Sequence, residues 1–418
     1  MKYDTLKRKK ECPNMKKKLA VLFLLVGLLL TACAKPGPDI PTFVLDTSNV
    51  SNLDTANTFL MNYNFEHMTQ SEQVIYKLSS NTFSILFYDK SSGTSGPLCG
   101  KPDCSHTGED CNAYVCAGKS IQYYNGAIYI VAEDKSTFPM ETWLWKCDLS
   151  GGNREKIKKL DKKNMVYVYQ PQQYILHRGT LYMLCDTEAV VDGNAFNHIA
   201  LLSTPLDSSE EFTVLWEDYV PPERHPAIRF MGQYIYIEAG VNSSKVDIYR
   251  FDTATGTVET LLSDDNSDLC YGEIGIDENG TLYLSGADEG TTGYVWKIAN
   301  GQKEEIMTLP VNSYSPPDIL DGYVASVCSG ADRYKELTVK SLIGEQIYSG
   351  PLFTETIPEI PGDPNACSYG CVGNQGTVIN YSLSYDTEKL GKEFIVSFDA
   401  AQTMKPVLVW HSEDVKYG

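Results

Sequence analysis

Hydrophobic and polar positions alternate along this chain in short bursts, and most bursts open on a glycine. One phrase recurs six times: "NGAIYIVAE" at 125, "RGTLYMLCD" at 178, "MGQYIYIEA" at 231, "NGTLYLSGA" at 279, "DGYVASVCS" at 321 and "NQGTVINYS" at 374. Successive phrases begin 53, 53, 48, 42 and 53 residues apart. Alternation with a period of two predicts half-buried β-strands, because successive side chains of a strand point to opposite faces. The glycine, often with Asn or Asp beside it, predicts a tight hairpin turn leading into each strand.

A second phrase, strand then polar turn then strand, follows each first one. Examples are "TWLWKCDLSGGNREKIKKL" (142–160), "DIYRFDTATGTVETLL" (247–262), "YVWKIANGQKEEIMTL" (294–309) and "EFIVSFDAAQTMKPVLVW" (393–410). A further copy, "FSILFYDKSSGTSGPLC" (83–99), has "EQVIYKLSS" as its preceding strand. Seven units result, at 59–99, 112–160, 165–216, 225–262, 269–309, 312–350 and 366–410. Four short strands in roughly 40–55 residues make the blade of a β-propeller. The expectation is therefore an all-β fold, a seven-bladed β-propeller over 59–418, with six or eight blades also compatible. Phe59 to Tyr63 is a candidate to pair with the last blade and cover its open edge. Two β-sandwich domains would also give many short strands, but not so even a recurrence of the turn phrase.

The first 32 residues stand apart from this pattern. Basic stretches at Lys7 to Lys10 and Lys16 to Lys18 precede the apolar run Leu19 to Leu30, which is too short to span a bilayer and has the order of a secretory signal. Leu30-Thr31-Ala32-Cys33 follows at once and resembles the lipobox of bacterial lipoproteins. That resemblance implies cleavage before Cys33, lipid on Cys33, and a membrane anchor facing outside the cytoplasm. Met15 opens a complete signal of this kind by itself, so either Met1 or Met15 serves as the start. Residues 33–58, rich in Pro, Ser, Asn and Asp, read as a flexible tether. Taken with the blade phrases and the element LC-x-KPDC-x-H-x4-CNAY, the chain resembles the TolB-like and WD40-like β-propeller lipoproteins exported by bacteria. The resemblance implies fold and location and says little about activity.

The formal charge is −19, and becomes −25 once residues 1–32 are removed. Such a surface repels nucleic acid, which is excluded as a partner. Glycans, peptides, an envelope protein or cations remain.

Four cysteines and a histidine crowd the Cys-rich inter-blade loop 98–116, a crossing poor in apolar residues of its own. Two chemistries fit. In an exported chain Cys99, Cys104, Cys111 and Cys116 can form two disulfides, the reading the compartment favours. Alternatively Cys99, Cys104, His106 and Cys111 supply a Cys3His set for tetrahedral zinc, although the single residue between Cys104 and His106 demands a tight turn. Either would fasten the loop without catalysis. Cys147, Cys185, Cys270 and Cys328 read as small buried residues, and Cys367 with Cys371 as a pair able to bridge if the chain turns back.

Other features are weaker. "DTATG" (252–256) reads as a turn. "SDDNSD" (263–268) and "DENG" (277–280) lack EF-hand spacing, which argues against calcium as a cofactor. The five tryptophans read as filling between blades. His225 falls in a proline-rich loop near Glu223 and Arg224, on one face of the disc.

The reading is a lipid-anchored propeller acting as a binding or scaffold module at the cell surface. Its alternative is a propeller hydrolase or lyase acting on extracellular polysaccharide or peptide, which would need Asp, Glu, His or Arg from different blades to converge with perturbed pKa values. The catalytic residues of such an enzyme are unknown from sequence. If Cys33 carries the anchor, Cys33→Ser should shift the chain from the membrane to the soluble fraction on cell fractionation, and should abolish incorporation of a labelled fatty acid.

Overall fold

The computed structural model describes residues 68–352 except 72, 80–83, 107, 161–169, 192–193, 208–210, 221–224, 242, 278–279, 321 and 330–334, together with 367–375, 378–387, 390–400 and 407–411. Among these residues no helix is long and apolar enough to cross a membrane. Phe59 to Tyr63 lies outside the described residues.

Among the described residues twenty-eight strands form seven four-stranded antiparallel sheets, each built from four strands consecutive in sequence. The first comprises β1 (Met68–Gln70), β2 (Val74–Ser79), β3 (Ser84–Asp89) and β4 (Ser95–Pro97), and the second β5 (Ser120–Tyr124), β6 (Ala127–Asp134), β7 (Glu141–Cys147) and β8 (Glu155–Lys159). The third comprises β9 (Gln170–His177), β10 (Thr180–Val191), β11 (Asn194–Pro205) and β12 (Thr213–Val220), and the fourth β13 (His225–Met231), β14 (Tyr234–Val241), β15 (Lys245–Asp252) and β16 (Thr257–Asp265). The fifth comprises β17 (Leu269–Ile276), β18 (Leu282–Asp288), β19 (Thr292–Ala299) and β20 (Gln302–Pro310), and the sixth β21 (Asp318–Ile319), β22 (Tyr323–Ser329), β23 (Lys335–Ser341) and β24 (Gln346–Pro351). The seventh comprises β25 (Cys367–Gln375), β26 (Val378–Thr387), β27 (Leu390–Asp399) and β28 (Val407–His411).

The first strands of the sheets touch in succession, β1 with β5, β5 with β9, β9 with β13, β13 with β17 and β17 with β21, while β25 returns to β1. Meandering sheets packed in this order make an all-β propeller. The recurring glycine phrase forms the turn between the first and second strand of most sheets. In the second sheet Asn125 (φ 47°) and Gly126 (φ 73°) both take positive φ, as a two-residue type I′ hairpin requires.

The expectation of half-buried strands is corrected for the second strands of several sheets. β14 and β18 are buried on nearly every residue, and β6 on most. A strand sandwiched between two neighbouring sheets hides both faces, so its alternation sorts side chains between two cores. Toward the fourth strand exposure returns, and β16 and β20 have mostly exposed or half-buried residues.

The core is correspondingly a series of slabs between sheets. Ile175, Leu184, Ile199 and Leu201 of the third sheet mesh with Ile228, Phe230, Ile235 and Ile237 of the fourth. Tyr236, Val246 and Ile248 of the fourth meet Tyr271, Ile274 and Leu284 of the fifth, with Trp296 at their edge. Leu284 is fully buried in this slab. Leu284→Ala should therefore cost about 2–5 kcal/mol by chemical denaturation. Val258→Ala, on the exposed face of β16, should stay within about 0.5 kcal/mol of the parent.

Candidate functional site

The crossing from the first sheet to the second starts after Pro97. Contrary to expectation it carries apolar anchors, since Leu98 and Val115 are buried in the slab between those sheets. Between these anchors the chain doubles back through tight turns. The Cys104 N–H donates to the Lys101 carbonyl (3.3 Å), and the Cys111 N–H to the Gly108 carbonyl (2.9 Å). His106 adopts φ 58°, the left-handed geometry that lets it follow Cys104 so closely and still face the cysteines.

The three sulfurs of Cys99, Cys104 and Cys111 and one ring nitrogen of His106 lie within 4.8 Å of one another. His106 Nδ1 stands 3.4 Å from Cys111 Sγ. Cys99, His106 and Cys111 are buried and Cys104 is half-buried. The Ala113 N–H donates to Cys111 Sγ at 3.3 Å, and the backbone N–H groups of Lys101 and Asn112 donate to the Cys99 sulfur. Burial pushes the Cys111 thiol up to about 12. Burial acts on Cys99 in the same direction, yet the Lys101 and Asn112 N–H donors bring that thiol below its ordinary value. Desolvation holds His106 below the usual imidazole value. Three sulfurs and one nitrogen in this arrangement are a donor set for tetrahedral zinc.

Cys116, the fourth cysteine of the sequence motif, stands outside this group. All eight cysteines with described side chains are unbridged. Cys147 and Cys185 are buried as expected, whereas Cys270 and Cys328 are half-buried. The suggested Cys367–Cys371 bridge is excluded by backbone geometry. Both residues lie on β25, where four residues of extended chain span about 13 Å, well beyond the roughly 7 Å that a disulfide tolerates between Cα atoms.

Two residues that the sequence gave no cause to single out dock the loop on the second sheet. Gly151, in the β7–β8 turn at φ 79°, comes so close that a Cβ would sit 2.3 Å from the Leu98 carbonyl oxygen. Arg154 donates from its guanidinium to the carbonyls of Asn112 and Tyr114. No carboxylate forms an ion pair with Arg154 among the described residues, and its Nε has no hydrogen-bond partner.

Beside the loop lies a cleft of about 230 Å³. Its lining includes Glu109, Tyr114, Cys116, Glu133, Asp134, Lys135, Trp145 and Arg154. Lys135 bonds Tyr114 Oη and Glu109, and sits 5.0 Å from the Tyr114 ring centroid. The bond from Lys156, aided by Ser136, holds the Asp134 carboxyl down at about 2. The same Lys156 ammonium lies over Trp143 and Trp145, at 4.9 and 5.2 Å from their ring centroids.

A second charged group forms between the fourth and fifth sheets. Arg229 of β13 pairs with Glu273 of β17, and Glu238 of β14 accepts the Ile274 N–H at 3.0 Å. Glu238 is fully buried, with Oε1 unpaired, and burial pushes its carboxyl up to about 8. The sequence signal was an Arg or Glu inside each of two otherwise largely apolar strands, "HPAIRFM" and "YIYIEAGV".

The remaining sequence candidates are absorbed by the scaffold. "DTATG" is a turn, with the Gly256 N–H bonded to the Asp252 carbonyl at 2.8 Å. Asp264 is taken up by Lys303 and Tyr271, and Asp265 by Lys245. Asp277 bonds the Thr281 N–H and Tyr283 Oη. His225 is not in a loop but opens β13, opposite Val241, and Glu223 and Arg224 lie outside the described residues. Trp296 is buried between sheets, and Trp145 and Trp216 pack against slabs.

Known structures share this architecture. A puromycin hydrolase matches over 88% of this chain at 11% identity, with a TM-score of 0.54. The chain has the propeller fold. A puromycin-hydrolyzing peptidase from Mycobacterium tuberculosis also matches (11% identity, 88% of this chain, TM-score 0.49), as does the β-propeller domain of the Trilobed protease from Pyrococcus furiosus (10% identity, 83% of this chain and 98% of that one, TM-score 0.46). The chain spans 58% of the first of these proteins and 57% of the second. No protein-family model matches it, and neither does any curated protein.

Glu238 gives the site a pH signature. Its folded pKa exceeds its unfolded one, so between about pH 4 and pH 8 the unfolded chain holds fewer protons and stability falls as pH rises. Glu238→Gln should flatten that decline, seen as a smaller drop in denaturation midpoint between about pH 5 and pH 8 than the parent shows.

Proposed function

We propose that the protein is a lipid-anchored β-propeller outside the cytoplasm, its seven sheets serving as seven blades, and that it binds a peptide or glycan at the cell surface. The observation carrying this reading is the cleft beside the cysteine loop, where aromatic faces (Tyr114, Trp145) adjoin both signs of charge (Glu109, Glu133, Lys135). Aromatic surface with a few fixed polar groups is how proteins hold sugar rings and peptide segments. Rigid sheets on one side and a fastened loop on the other keep the cleft formed without a ligand. The acidic surface agrees with a neutral or cationic ligand.

The second reading is hydrolysis of such a ligand. It is favoured by the similarity to proteins named as a puromycin hydrolase and as a peptidase. Those chains are longer than this one, and the likeness concerns the fold.

One experiment separates the two. The full chain in detergent is incubated with peptide and cell-wall glycan libraries, and the mixtures are read by mass spectrometry and by retention on immobilised protein. A binding module retains a subset intact, whereas a hydrolase returns shortened products. Trp145→Ala and Lys135→Ala should each weaken retention about tenfold or more, as loss of an aromatic or charged anchor does. Retention unchanged in both variants would place recognition away from the cleft.

A further inference from the structure

Three sulfurs and an imidazole drawn together under a loop need something between them. Buried polar groups in folded proteins are almost always partnered. Yet the polar contact of His106 among the described residues is Cys111 Sγ alone, and its Nε2 has none. The four donor atoms come from one short segment, residues 99–111, and meet within 4.8 Å. A zinc ion with Zn–S bonds of about 2.3 Å and a Zn–N bond of about 2.0 Å sets such atoms about 3.5–3.8 Å apart at tetrahedral angles. The 3.4 Å separation of His106 Nδ1 and Cys111 Sγ is close to that edge.

The surroundings suit a charged metal–thiolate centre better than a neutral disulfide. Cys99 receives the N–H of Lys101 two residues on, and Cys111 that of Ala113 two residues on. Paired N–H···S bonds of this kind orient and stabilise thiolate ligands. Three thiolates and one zinc ion leave a net charge of −1. Arg154, half-buried and without a carboxylate ion pair among the described residues, lies within electrostatic reach of the Cys147 sulfur and, after it, of Cys111. A half-buried guanidinium with no carboxylate beside it gains from a nearby negative charge, and a tris-thiolate zinc centre supplies one.

We infer that Cys99, Cys104, His106 and Cys111 bind one structural zinc ion that fastens the crossing between the first and second sheets. Binding releases the thiol protons to solvent and changes no oxidation state. With four protein ligands the coordination shell is closed, so the metal holds the loop and activates no water. Cys116 takes no part and remains a free thiol on the cleft.

The test uses the full chain, purified in detergent without chelator or reductant. Elemental analysis should find one zinc per chain, and exchange for cobalt should give the visible absorption of a tetrahedral thiolate site. Cys111→Ser and His106→Ala should lose the metal. Since these variants risk misfolding, Cys116→Ala and His106→Cys give an independent check: both should retain full zinc occupancy, the latter with a shifted cobalt spectrum. Chelation should expose residues 99–116 to protease and make Cys99, Cys104 and Cys111 reactive to alkylation. A folded chain that carries no zinc and shows disulfides joining Cys99, Cys104, Cys111 or Cys116 by peptide mapping overturns the assignment, as does metal loss in Cys116→Ala.

Discussion

Face-to-face packing between neighbouring sheets is the constraint on which everything else here rests. A four-stranded sheet of this length cannot bury enough apolar surface alone, and an isolated one would leave two greasy faces in water. Each of the second to sixth sheets therefore uses one face against the preceding sheet and the other against the next. Tyr236 serves the slab shared with the fifth sheet, while its neighbours Ile235 and Ile237 serve the slab shared with the third. Removing water from both faces buries inner strands such as β14 and β18 almost wholly, and it obliges any charge placed on an inner strand to find a partner or to become neutral. Arg229 takes the first course with Glu273, and Glu238 the second.

Much of this was legible in the sequence, because a period of two and a positive-φ turn are local properties. The phrase beginning Asn125-Gly126 predicts its hairpin and second strand from chemistry within ten residues. What alternation cannot reveal is whether the opposite face meets water or another sheet, and so β14 and β18 were expected to be half-buried. The cysteine loop divides in the same way. Ligand types and spacing are visible in "CGKPDCSHTGEDC", but the left-handed turn at His106 that makes the short Cys104–His106 spacing workable is a property of the folded backbone. Arg154 and Gly151 lie some forty residues further along the chain, and nothing in their own neighbourhood announces that they close over the loop.

The polar groups divide into those that hold the scaffold and those that face outward. Asp252 and Asp277 bond backbone N–H groups within their own turns, and Asp264 is committed to Lys303 and Tyr271. These carboxylates are structural, which is why counting acidic residues says so little about chemistry in a chain of this charge. Around the cleft the balance differs, because Lys135, Lys156 and the tryptophans form a partly exposed cationic and aromatic wall. There charged side chains that already have partners stay partly open to solvent.

The outward gradient of burial within each sheet also governs how such a sequence drifts over evolutionary time. Inner strands must keep an apolar alternation and a turn that accepts positive φ, but neither demand names a particular residue, since Val, Ile, Leu, Tyr and Phe serve interchangeably in a strand. Outer strands such as β16 and β20 are freer still. Two such backbones can therefore match with few residues in common, as this chain and the puromycin hydrolase do at 11% identity over 88% of this chain. The demand for one particular residue falls less on the strands than on the irregular segments between them, where Gly151 admits no substitute without moving its neighbour.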